Sequence, residues 1–597
     1  MCIQARLAQP PVPAPNQLSY ILPMQAPTRK KLPYAVSNFE EILEEGYYVV
    51  DKTSFIRELE IFKVPVFLRP RRFGKTLWCS TLECYYDIGR KARFESLFGN
   101  LAIGKNPTPL RNSFMVLRLN FSVVQVSFDL DVLERNFTDN CLGAFGSLLI
   151  RYRAYFKDGL TLDPSKPAAQ SLESILQFAS AQGLPPIYLI IDEYDNFVNQ
   201  LITSKREDLY GELTSGDSFF RTFFKGIKAG CETRAIGKVF ITGVLPITMD
   251  DLTSGFNIAE IVTLEPALHN MQGFTQSEVH TYLETVVRDH DLSMDILPET
   301  LLVVKNYYNG YRFLPDAPDS LYNATILTYF LKYFANHKGQ YPRDMIDSNV
   351  KTDVSWIERL GFGGSSPLDL METLLQGEGL PYDNRSLTDK FNMRRFFETN
   401  HYPASLFFLG MLSAQDETHL CVPNQTIQSI LADYYNTLAR IEVADGYGGA
   451  FSAFRKDLDL SSLFGCYHKV YLGQIVAQAF DKVNENFVRL TFFELCSRYL
   501  SQQFSFAIEA QYPSGRSDWE LLGRPDSIYK NQKWIVEFKY LSKSNKAKLT
   551  DFDSPPADAV AQVEGYKAQT LADFPQYTVH TAVCVVQGRD GFKWWDL

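Results

Sequence analysis

The feature of this chain that most constrains its fold is an apolar run that leads into a basic loop and then into a helical pattern. Residues 64–68 read Val-Pro-Val-Phe-Leu, and the helical pattern continues over residues 77–82. Between them, the loop ends in Gly74, Lys75 and Thr76. A strand, a loop and a helix that begins at Gly-Lys-Thr are the context that a phosphate-binding P-loop needs. The segment therefore predicts an α/β fold with a nucleotide site at this loop, and a basic surface turn is the alternative.

The residues of this loop have distinct expected roles. Backbone N–H groups near Gly74 would face the phosphates, Lys75 would reach the β- and γ-phosphate oxygens as an exposed charge, and the Thr76 hydroxyl would bind Mg²⁺. The first position of the motif, usually glycine, is Arg69 here, so the loop must turn without its first permissive residue. The arginines of the loop are expected to add positive charge to the phosphate site; they are Arg69, Arg71 and Arg72.

A second apolar run ends in two acids. Residues 187–193 read Ile-Tyr-Leu-Ile-Ile-Asp-Glu, which predicts a buried parallel strand that delivers carboxylates to one edge of the sheet. Asp192 would hold Mg²⁺ and Glu193 would polarise the attacking water. A core strand that ends in a polar turn is the alternative. Thr242, in the next apolar strand, lies where a sensor of the γ-phosphate is often found, but good strand propensity explains it at least as well.

The C-terminal region carries a third pattern. Residues 533–539 read Lys-Trp-Ile-Val-Glu-Phe-Lys, and eighteen residues separate Asp518 from Glu537. On a β-hairpin Glu537 and Lys539 would share one face, with the neighbouring apolar residues packed behind them. The carboxylates of Asp518 and Glu537 suit Mg²⁺, and Lys539 would stabilise charge that develops on a phosphate or help activate the water. The alternative is a surface hairpin with a salt bridge.

Several further motifs accompany these patterns, and together they resemble a known pair of domains. The N-terminal motifs are Phe-Glu-Glu-Ile at 39–42, Tyr-Val-Val-Asp-Lys-Thr at 48–53, Asp-Glu-Tyr-Asp at 192–195, Ile-Thr-Gly-Val at 241–244 and Tyr-Asn-Gly-Tyr-Arg-Phe at 308–313. The C-terminal motifs are Glu-Asn-Phe at 485–487, Gly-Arg-Ser-Asp at 515–518, Glu-Phe-Lys at 537–539 and Gln-Val-Glu-Gly-Tyr at 562–566.

The stretch from residue 32 to about 313 resembles the AAA-ATPase-like family, often paired with a C-terminal domain of the PD-(D/E)XK nuclease superfamily. The arginine-rich loop is itself typical of that family. The resemblance implies an ATP-binding αβα core, an attached helical lid and a metal-dependent nuclease-like fold. We therefore predict an α/β fold class with a P-loop αβα ATPase core, a helical lid and a C-terminal restriction-endonuclease-like α/β domain.

Two pairs of residues near the C-terminal hairpin are weaker candidates. Glu485 and Glu494 lie in a helical stretch, and either would supply an extra acid near the metal or simply face solvent. Gln562 would help position the catalytic lysine or the phosphate, and Tyr566 follows about one helical turn later on the same face. A partly buried amphipathic helix explains this second pair equally well.

Composition and glycine- or proline-rich stretches divide the chain into segments. The expected segments are a disordered leader at 1–31, an AAA-like P-loop ATPase core at 32–268, a helical lid at 269–445, a linker at 446–480 and a PD-(D/E)XK nuclease-like domain at 481–597. Thr275 and Glu278 predict a helix start within the lid. The glycine-rich residues 446–449 suggest a hinge before the C-terminal region.

Length, charge and cysteine usage favour an intracellular enzyme. The 597 residues are 45% hydrophobic and 21% charged, which is typical of a multidomain globular protein. The nine cysteines have no metal-finger spacing, so reduced thiols of the cytoplasm or nucleus are expected. Neither a signal peptide nor a membrane-spanning run is evident. A net charge of −10 argues against a generally basic nucleic-acid coat.

These patterns favour one function over two alternatives. We expect ATP and Mg²⁺ as cofactors, nucleic acid bound through a local groove, no membrane partner and a possible homo-oligomer. Nucleotide state would control a nuclease-like module. The first alternative is an ATP-switched signalling or scaffold protein whose C-terminal domain binds without cutting. The second alternative is an ATPase that has no nucleic-acid partner.

Overall fold

The computed structural model describes most of the chain from residue 29 onward. The described residues are 29–156, 159–214, 216–246, 249, 251, 256–347, 366–377, 379–388, 396, 398, 401–542, 548–589 and 591–597. Residues 1–28 of the expected leader lie outside them. Lys31, at the end of that expected leader, is part of the folded protein, because its backbone N–H donates to the carbonyl of Gly46 at 3.1 Å.

The N-terminal region is built on a parallel five-stranded sheet in the order β2-β3-β4-β1-β5. Its strands are β1 (Pro65–Leu68), β2 (Met115–Asn120), β3 (Ile187–Asp192), β4 (Ile236–Gly243) and β5 (Glu260–Ile261). The consecutive apolar residues of β1, β3 and β4 are buried on both faces, as the strand pattern predicts, whereas the two residues of the edge strand β5 are exposed. Phe67 and Phe240 face one core, whereas Val66 and Ile241 face the other.

Helices cover both faces of this sheet. They are α1 (Phe39–Glu44), α2 (Phe55–Leu59), α3 (Lys75–Tyr86), α4 (Phe94–Phe98), α5 (Ala102–Lys105), α6 (Leu130–Arg151), α7 (Ala168–Ala181), α8 (Asn196–Thr203), α9 (Glu207–Thr214) and α10 (Phe219–Glu232). Helix α3 packs on one face through Trp78 and Leu82, and α10 packs on the other through Phe223. The predicted αβα core is confirmed.

The following region is mainly helical. It contains α11 (Gln276–Asp289), α12 (Leu297–Tyr308), α13 (Ala324–Asn336), α14 (Pro367–Gln376), α15 (Arg385–Thr388), α16 (Tyr402–Phe408) and α17 (Gln425–Leu438). The predicted start of α11 is confirmed, since Thr275 and Glu278 form a capping box. A small antiparallel sheet in the order β6-β8-β7 also lies here, and sequence analysis missed it; its strands are β6 (Leu380–Pro381), β7 (Ser413–Ala414) and β8 (His419–Cys421).

The segment expected to be a linker is folded and packed. It contains α18 (Gly448–Asp457) and α19 (Ser461–Cys466). The ring of Phe451 stacks on that of Tyr499 at 4.4 Å between centroids, and Phe454 contacts Trp534 at 5.3 Å. Its aromatic side chains therefore join the core of the C-terminal region, which explains why glycine-rich residues do not produce an open hinge here.

The C-terminal region is a five-stranded mixed sheet in the order β13-β12-β11-β10-β9. Its strands are β9 (Phe504–Tyr512), β10 (Gly515–Gly523), β11 (Gln532–Tyr540), β12 (Thr578–Gln587) and β13 (Gly591–Asp596), with helices α20 (Glu485–Leu500) and α21 (Ala557–Asp573). The predicted hairpin is confirmed as the antiparallel β10–β11 pair. Strands β11 and β12 run parallel, with α21 as the crossover between them.

Polar contacts tie the C-terminal sheet to the helical region. The buried guanidinium of Arg524 donates to the carbonyls of Tyr341 and Pro342 at 2.9 and 2.7 Å. The hydroxyl of Tyr577 donates to Glu299 at 2.6 Å. One hydrophobic core extends through both regions. The C-terminal sheet is therefore docked on the helical region.

No helix among the described residues is long and apolar enough to span a membrane.

Candidate functional sites

The loop between β1 and α3 forms an open cradle at Gly74. This residue has φ = 94°, and no atom lies within 4 Å of the position that a Cβ would occupy. Lys75 begins α3, and its ammonium donates to the carbonyls of Arg69 and Pro70 at 3.1 and 3.0 Å. Lys75 is only 3% exposed, so the expectation that its side chain is an exposed charge is wrong. The loop carbonyls therefore accept two of the hydrogen bonds that this lysine can donate.

The arginine at the start of the loop has a structural role. The guanidinium of Arg69 donates to the carbonyls of Leu68 and Thr263 at 3.0 Å, and lies between the rings of Phe67 and Phe313 at 4.2 and 4.0 Å. Burial lowers the pKa of Arg69 to about 9. The expectation that Arg69 adds charge to the phosphate site is therefore wrong.

The backbone of the loop explains why a glycine is not needed at its first position. The N–H of Arg69 donates to the carbonyl of Gly243 at 3.3 Å and extends the strand pairing of β1 with β4. Positive φ angles occur later, at Arg72 (72°) and Gly74 (94°). The chain turns where these two residues lie, so the permissive conformation is displaced along the motif.

The helical region contacts the same loop. The N–H of Thr325, at the start of α13, donates to the carbonyl of Arg72 at 3.2 Å, and Asn323 donates to the carbonyl of Arg71 at 3.2 Å. The guanidinium of Arg72 lies 3.1 Å from Asp347. Movement of the loop would therefore be felt by α13 and by the segment that carries Asp347.

The residues predicted to bind phosphate and to polarise water line one cavity of about 250 Å³, which we name the P-loop cavity. Lys75, Thr76 and Glu193 line it. Glu193 follows β3 with φ = 53°, a conformation that non-glycine residues rarely adopt. Such strain is stored mainly at functional positions. The cavity therefore combines a cation, a hydroxyl and a carboxylate at the ends of β1 and β3.

Asp192, at the end of β3, is fully buried beside this cavity. Its Oδ2 lies 3.1 Å from the guanidinium of Arg118, and its Oδ1 has no hydrogen-bond partner among the described residues. Burial raises the pKa of Asp192, and the charge of Arg118 partly offsets that rise. An unpartnered buried carboxylate oxygen is the donor that a hard cation such as Mg²⁺ needs, so these residues fit the metal.

Arg118 is a site residue that was not among the residues predicted from the sequence. It lies on β2, where it also contacts Glu83 at 3.6 Å and donates to the carbonyl of Thr76 at 3.4 Å. The available signal was a single charge within the buried run Met-Val-Leu-Arg-Leu-Asn. Its partner could be identified only once β2 was known to lie beside β3.

Thr242 is buried on β4, and its hydroxyl donates to the carbonyl of Phe67 at 2.7 Å. In this structure the side chain therefore links β4 to β1, and a role as phosphate sensor would require this hydrogen bond to break. The loop after β4 is held differently. Asp195 accepts the N–H groups of Val244 and Leu245 at 3.1 and 2.8 Å, so it connects the acidic strand to that loop.

The C-terminal hairpin brings its three candidate residues together. The register pairs Trp519 with Val536, so Asp518 lies beside Glu537. Lys539 contacts Glu537 at 2.9 Å, and Asp518 accepts the N–H of Phe538 at 2.8 Å.

The electrostatics of this carboxylate pair favour a bound cation. Oε2 of Glu537 is buried and has no hydrogen-bond partner among the described residues. Burial and the negative charge of Asp518 raise the pKa of Glu537 to about 7. Burial also raises the pKa of Asp518, and Arg489 opposes that rise. A bound cation would relieve both shifts, so Asp518 and Glu537 fit Mg²⁺.

Arg489 on α20 is a second residue that sequence analysis missed. It contacts Asp518 at 2.9 Å and Glu509 at 3.1 Å. Its position, one helical turn after Glu485, was the available signal. Glu485 itself reaches the site, because it lies 4.0 Å from the Lys539 ammonium, and burial together with Asp518 raises its pKa.

The other weaker candidates have different surroundings. Glu494 accepts from Asn436 at 2.7 Å and from Arg498 at 2.5 Å, and burial raises its pKa to about 7. Gln562 is exposed on α21. Tyr566 is buried and donates to the carbonyl of Arg516 at 2.9 Å. Within the described part of the chain, no group of three or more His, Cys, Asp or Glu side chains is arranged to hold a metal ion.

Comparison with known families identifies both halves of this arrangement. Residues 33–253 match a family model described as "Predicted AAA-ATPase". Residues 483–595 match the model of the PD-(D/E)XK nuclease superfamily. The chain therefore combines an AAA-ATPase-like domain with a PD-(D/E)XK nuclease-superfamily domain, as the resemblance implied.

Individual proteins are more distant. An uncharacterized protein in the vnfD 5′ region of Azotobacter chroococcum mcd 1 is 27% identical over 305 residues, which are 50% of this chain and 52% of that protein. The chain thus matches about half the length of this relative. The Walker-type ATPase PABY2304 of Pyrococcus abyssi is 12% identical, with a TM-score of 0.38 over 68% of this chain and 99% of that chain. Drosophila ORC bound to GC-rich DNA and Cdc6 is 10% identical, with a TM-score of 0.21 over 77% and 61%.

Proposed function

We propose that this protein binds and hydrolyses ATP in its N-terminal domain, and that nucleotide state controls Mg²⁺-dependent cleavage of nucleic acid by its C-terminal domain. The observation that carries the ATPase half is the convergence of Lys75, Thr76 and Glu193 on the P-loop cavity. A cation, a hydroxyl and a carboxylate at the ends of parallel strands are the parts that phosphoryl transfer to water requires.

The residues of the N-terminal site divide this work. Lys75 exchanges its two carbonyl partners for phosphate oxygens, and the N–H groups at the start of α3 face the same oxygens. Thr76 and Asp192 are the ligands that we assign to Mg²⁺, which neutralises phosphate charge when it is bound. Glu193 orients and polarises the attacking water. Thr242 remains only a candidate sensor, since its hydroxyl must first leave Phe67.

The C-terminal site is assigned to phosphodiester cleavage. Asp518 and Glu537 would hold Mg²⁺, and the unpartnered oxygen of Glu537 supports this role. Lys539, on the same strand face, stabilises the negative charge that develops on the phosphate. Because the net charge of the chain is −10, we assign nucleic acid to a local groove at this site.

A short segment of the helical region supports control of one site by the other. Asp347 contacts Arg72 of the P-loop at 3.1 Å, while the carbonyls of Tyr341 and Pro342 accept from Arg524 of the C-terminal domain. Only a few residues therefore separate a contact of the nucleotide loop from a contact of the nuclease-like domain. We assign this segment and α13 the function of the lid.

The proposal also includes a cellular compartment and an oligomeric state. The eight cysteines that the structure describes are all free, which supports a reducing compartment such as the cytoplasm or nucleus. A possible homo-oligomer is included, since the arginine finger of such a site can be supplied in trans.

A second function has a specific observation in its favour. Arg489 already neutralises Asp518, and the described residues contain no ready-made group of three metal ligands. A C-terminal domain that binds nucleic acid or protein without cutting would tolerate this arrangement. The protein would then be an ATP-switched signalling or scaffold protein.

One experiment separates these functions. Purified protein is assayed for ATP turnover and for plasmid nicking, each with and without Mg²⁺, Mn²⁺ and nucleic acid. Nicking that requires metal and changes with ATP supports the proposal. Binding of nucleic acid without cleavage under every condition supports the scaffold function, and ATP turnover with no binding would leave an ATPase that lacks a nucleic-acid partner.

A further inference from the structure

A second cavity adjoins the P-loop cavity. It has a volume of about 120 Å³, and its lining includes Gly74, Leu77 and Trp78 together with Gln272 and Phe274. This base cavity, as we name it, exceeds the ~10–15 Å³ that one water molecule needs. The two cavities share Gly74, Leu77 and Phe274. A ligand with phosphates against the P-loop would therefore extend directly into the base cavity.

The walls of the base cavity suit a flat aromatic ligand. Six aromatic side chains contribute to its lining: Phe39, Tyr48, Phe73, Trp78, Phe274 and Tyr282. Aromatic faces of this kind stack with the π-face of a nucleobase. The chemistry of these walls therefore matches the base of a nucleotide better than a sugar or a further phosphate.

The same cavity contains polar groups without partners. Gln272 is 4% exposed, and neither its Oε1 nor its Nε2 has a hydrogen-bond partner among the described residues. The Trp78 indole N–H and the Tyr282 hydroxyl are likewise buried and unpaired within that part of the chain. Unpaired buried groups are costly, so several in one cavity indicate a polar ligand. The amide of Gln272 offers one acceptor and one donor side by side.

The backbone around Gln272 is held rigidly. Gly273 has φ = 84°, and a Cβ there would lie 3.0 Å from the carbonyl of Tyr322 and 3.2 Å from the ring of Phe73. The Lys52 ammonium donates to the carbonyl of Asn270 at 3.0 Å. The loop is thus fixed against the P-loop, which is the preorganisation that a selective contact needs.

We infer that the base cavity holds the adenine of ATP and that Gln272 selects it. This inference rests on the proposed ATP binding. The carbonyl of Gln272 would accept from the exocyclic amine of adenine, and its amide N–H would donate to an adjacent ring nitrogen, a pairing that glutamine makes with adenine elsewhere. Guanine carries a carbonyl oxygen in place of that amine, and a pyrimidine has no second ring to fill the cavity.

Ligand analogues test this inference on the unmodified protein. Calorimetry would compare ATP, GTP, CTP and purine riboside triphosphate, which lacks only the amine of adenine. ATP should bind about tenfold or more tightly than the other three. Purine riboside triphosphate would lose the amine contact with Gln272, GTP would present a carbonyl oxygen in place of the amine, and CTP would leave the space of the second ring unfilled. Equal affinities for ATP and purine riboside triphosphate would overturn the inference. GTP that binds as tightly as ATP would also overturn it.

Variants locate the selectivity. Gln272→Ala should lower ATP affinity by about tenfold to the level of the other nucleotides, while inorganic tripolyphosphate binds as in the unmodified protein. Gln182→Ala, at an exposed glutamine after α7, is the matched control and should change nothing. Retained tripolyphosphate binding also shows that the variant is folded.

The outcomes separate this inference from the proposed function. If the unmodified protein binds neither tripolyphosphate nor any nucleoside triphosphate, the ATP site itself is wrong and the inference fails with it. If ATP binds but Gln272→Ala leaves its selectivity unchanged, only the assignment of Gln272 and the base cavity fails.

Discussion

Arg489 and Asp518 form a buried ion pair in which Nη1 of the guanidinium lies 2.9 Å from Oδ1 of the carboxylate. Both side chains are 9% exposed, so neither charge is well solvated. Asp192 and Arg118 repeat the relationship in the N-terminal domain at 3.1 Å. In each domain an arginine therefore neutralises the aspartate that we assign to Mg²⁺. The second carboxylate oxygen of Asp192 has no hydrogen-bond partner among the described residues, whereas that of Asp518 accepts the N–H of Phe538 at 2.8 Å.

Replacement of Asp518, Glu537 or Lys539 by alanine should lower the rate of nicking about 100-fold or more. Each replacement removes either a metal ligand or the ammonium group that faces the phosphate. Double variants should lose little more, because the residues act as a unit. ATP turnover should persist in all of them. Plasmid nicking with Mg²⁺ is the measurement, and Asp558→Ala and Lys530→Ala, at exposed positions of the same domain, are the controls. Absence of cleavage by the unmodified protein would favour the scaffold function.

Lys75→Ala should greatly weaken ATP binding, since the side chain that we assign to the β- and γ-phosphates is removed. It should also destabilise the loop by about 1–2 kcal/mol, because two hydrogen bonds to loop carbonyls are lost. Calorimetry measures the first effect and thermal unfolding the second. Lys91→Ala, at an exposed lysine beyond α3, is the control. Unchanged ATP affinity would show that the loop does not bind phosphate.

Glu193→Gln should retain ATP binding and lose turnover, because the amide keeps the shape of the side chain but cannot polarise water as the carboxylate does. Asp192→Asn should lower Mg²⁺-dependent turnover by removing a metal ligand. Phosphate release and ATP affinity are measured on the same preparations. If Asp192→Asn turned over ATP at the normal rate with Mg²⁺, the roles assigned to this acid pair would be wrong.

Much of the scaffold could be predicted, because its signal is local. The strands β1, β3 and β4 are consecutive apolar runs, and a run of that kind is buried wherever the chain places it. The β10–β11 hairpin follows from alternation within about 25 residues. In the same way, Glu537 and Lys539 share a face because the side chains of a strand alternate.

The partners of the site residues could not be predicted, because they come from distant segments. Arg118 meets Asp192 across 74 residues of sequence, once β2 lies beside β3. Arg69 looked like a phosphate contact, since its neighbours in sequence are basic. The aromatic rings that surround it include Phe313, which only the folded helical region brings near. Sequence alone specified the residue types but left these pairings open.

Stability should depend on pH through Glu494. Burial raises its pKa to about 7 from an ordinary value near 4.5, so the folded protein holds this proton more tightly than the unfolded chain. The stabilisation by this protonated carboxyl is therefore present below about pH 4.5 and is lost as pH rises through about 7, on the order of 3 kcal/mol. Glu494→Gln should make stability less dependent on pH over this range. Thermal midpoints from pH 4.5 to 8 are the measurement, and an identical slope in the variant would contradict the assignment.

Asp347→Asn should uncouple the two domains. Asp347 contacts Arg72 of the P-loop, and the same segment supplies two carbonyls to Arg524 of the C-terminal domain. If this segment carries the coupling, the rates of nicking with and without ATP should differ about fivefold or more in the unmodified protein. The two rates should become equal in the variant. ATP turnover should remain, since Asp347 does not line the P-loop cavity. Asp316→Asn, at an exposed position of the same region, is the control. Because spatial intermediacy alone does not establish coupling, an unchanged ratio in Asp347→Asn would show that the nucleotide signal takes another route.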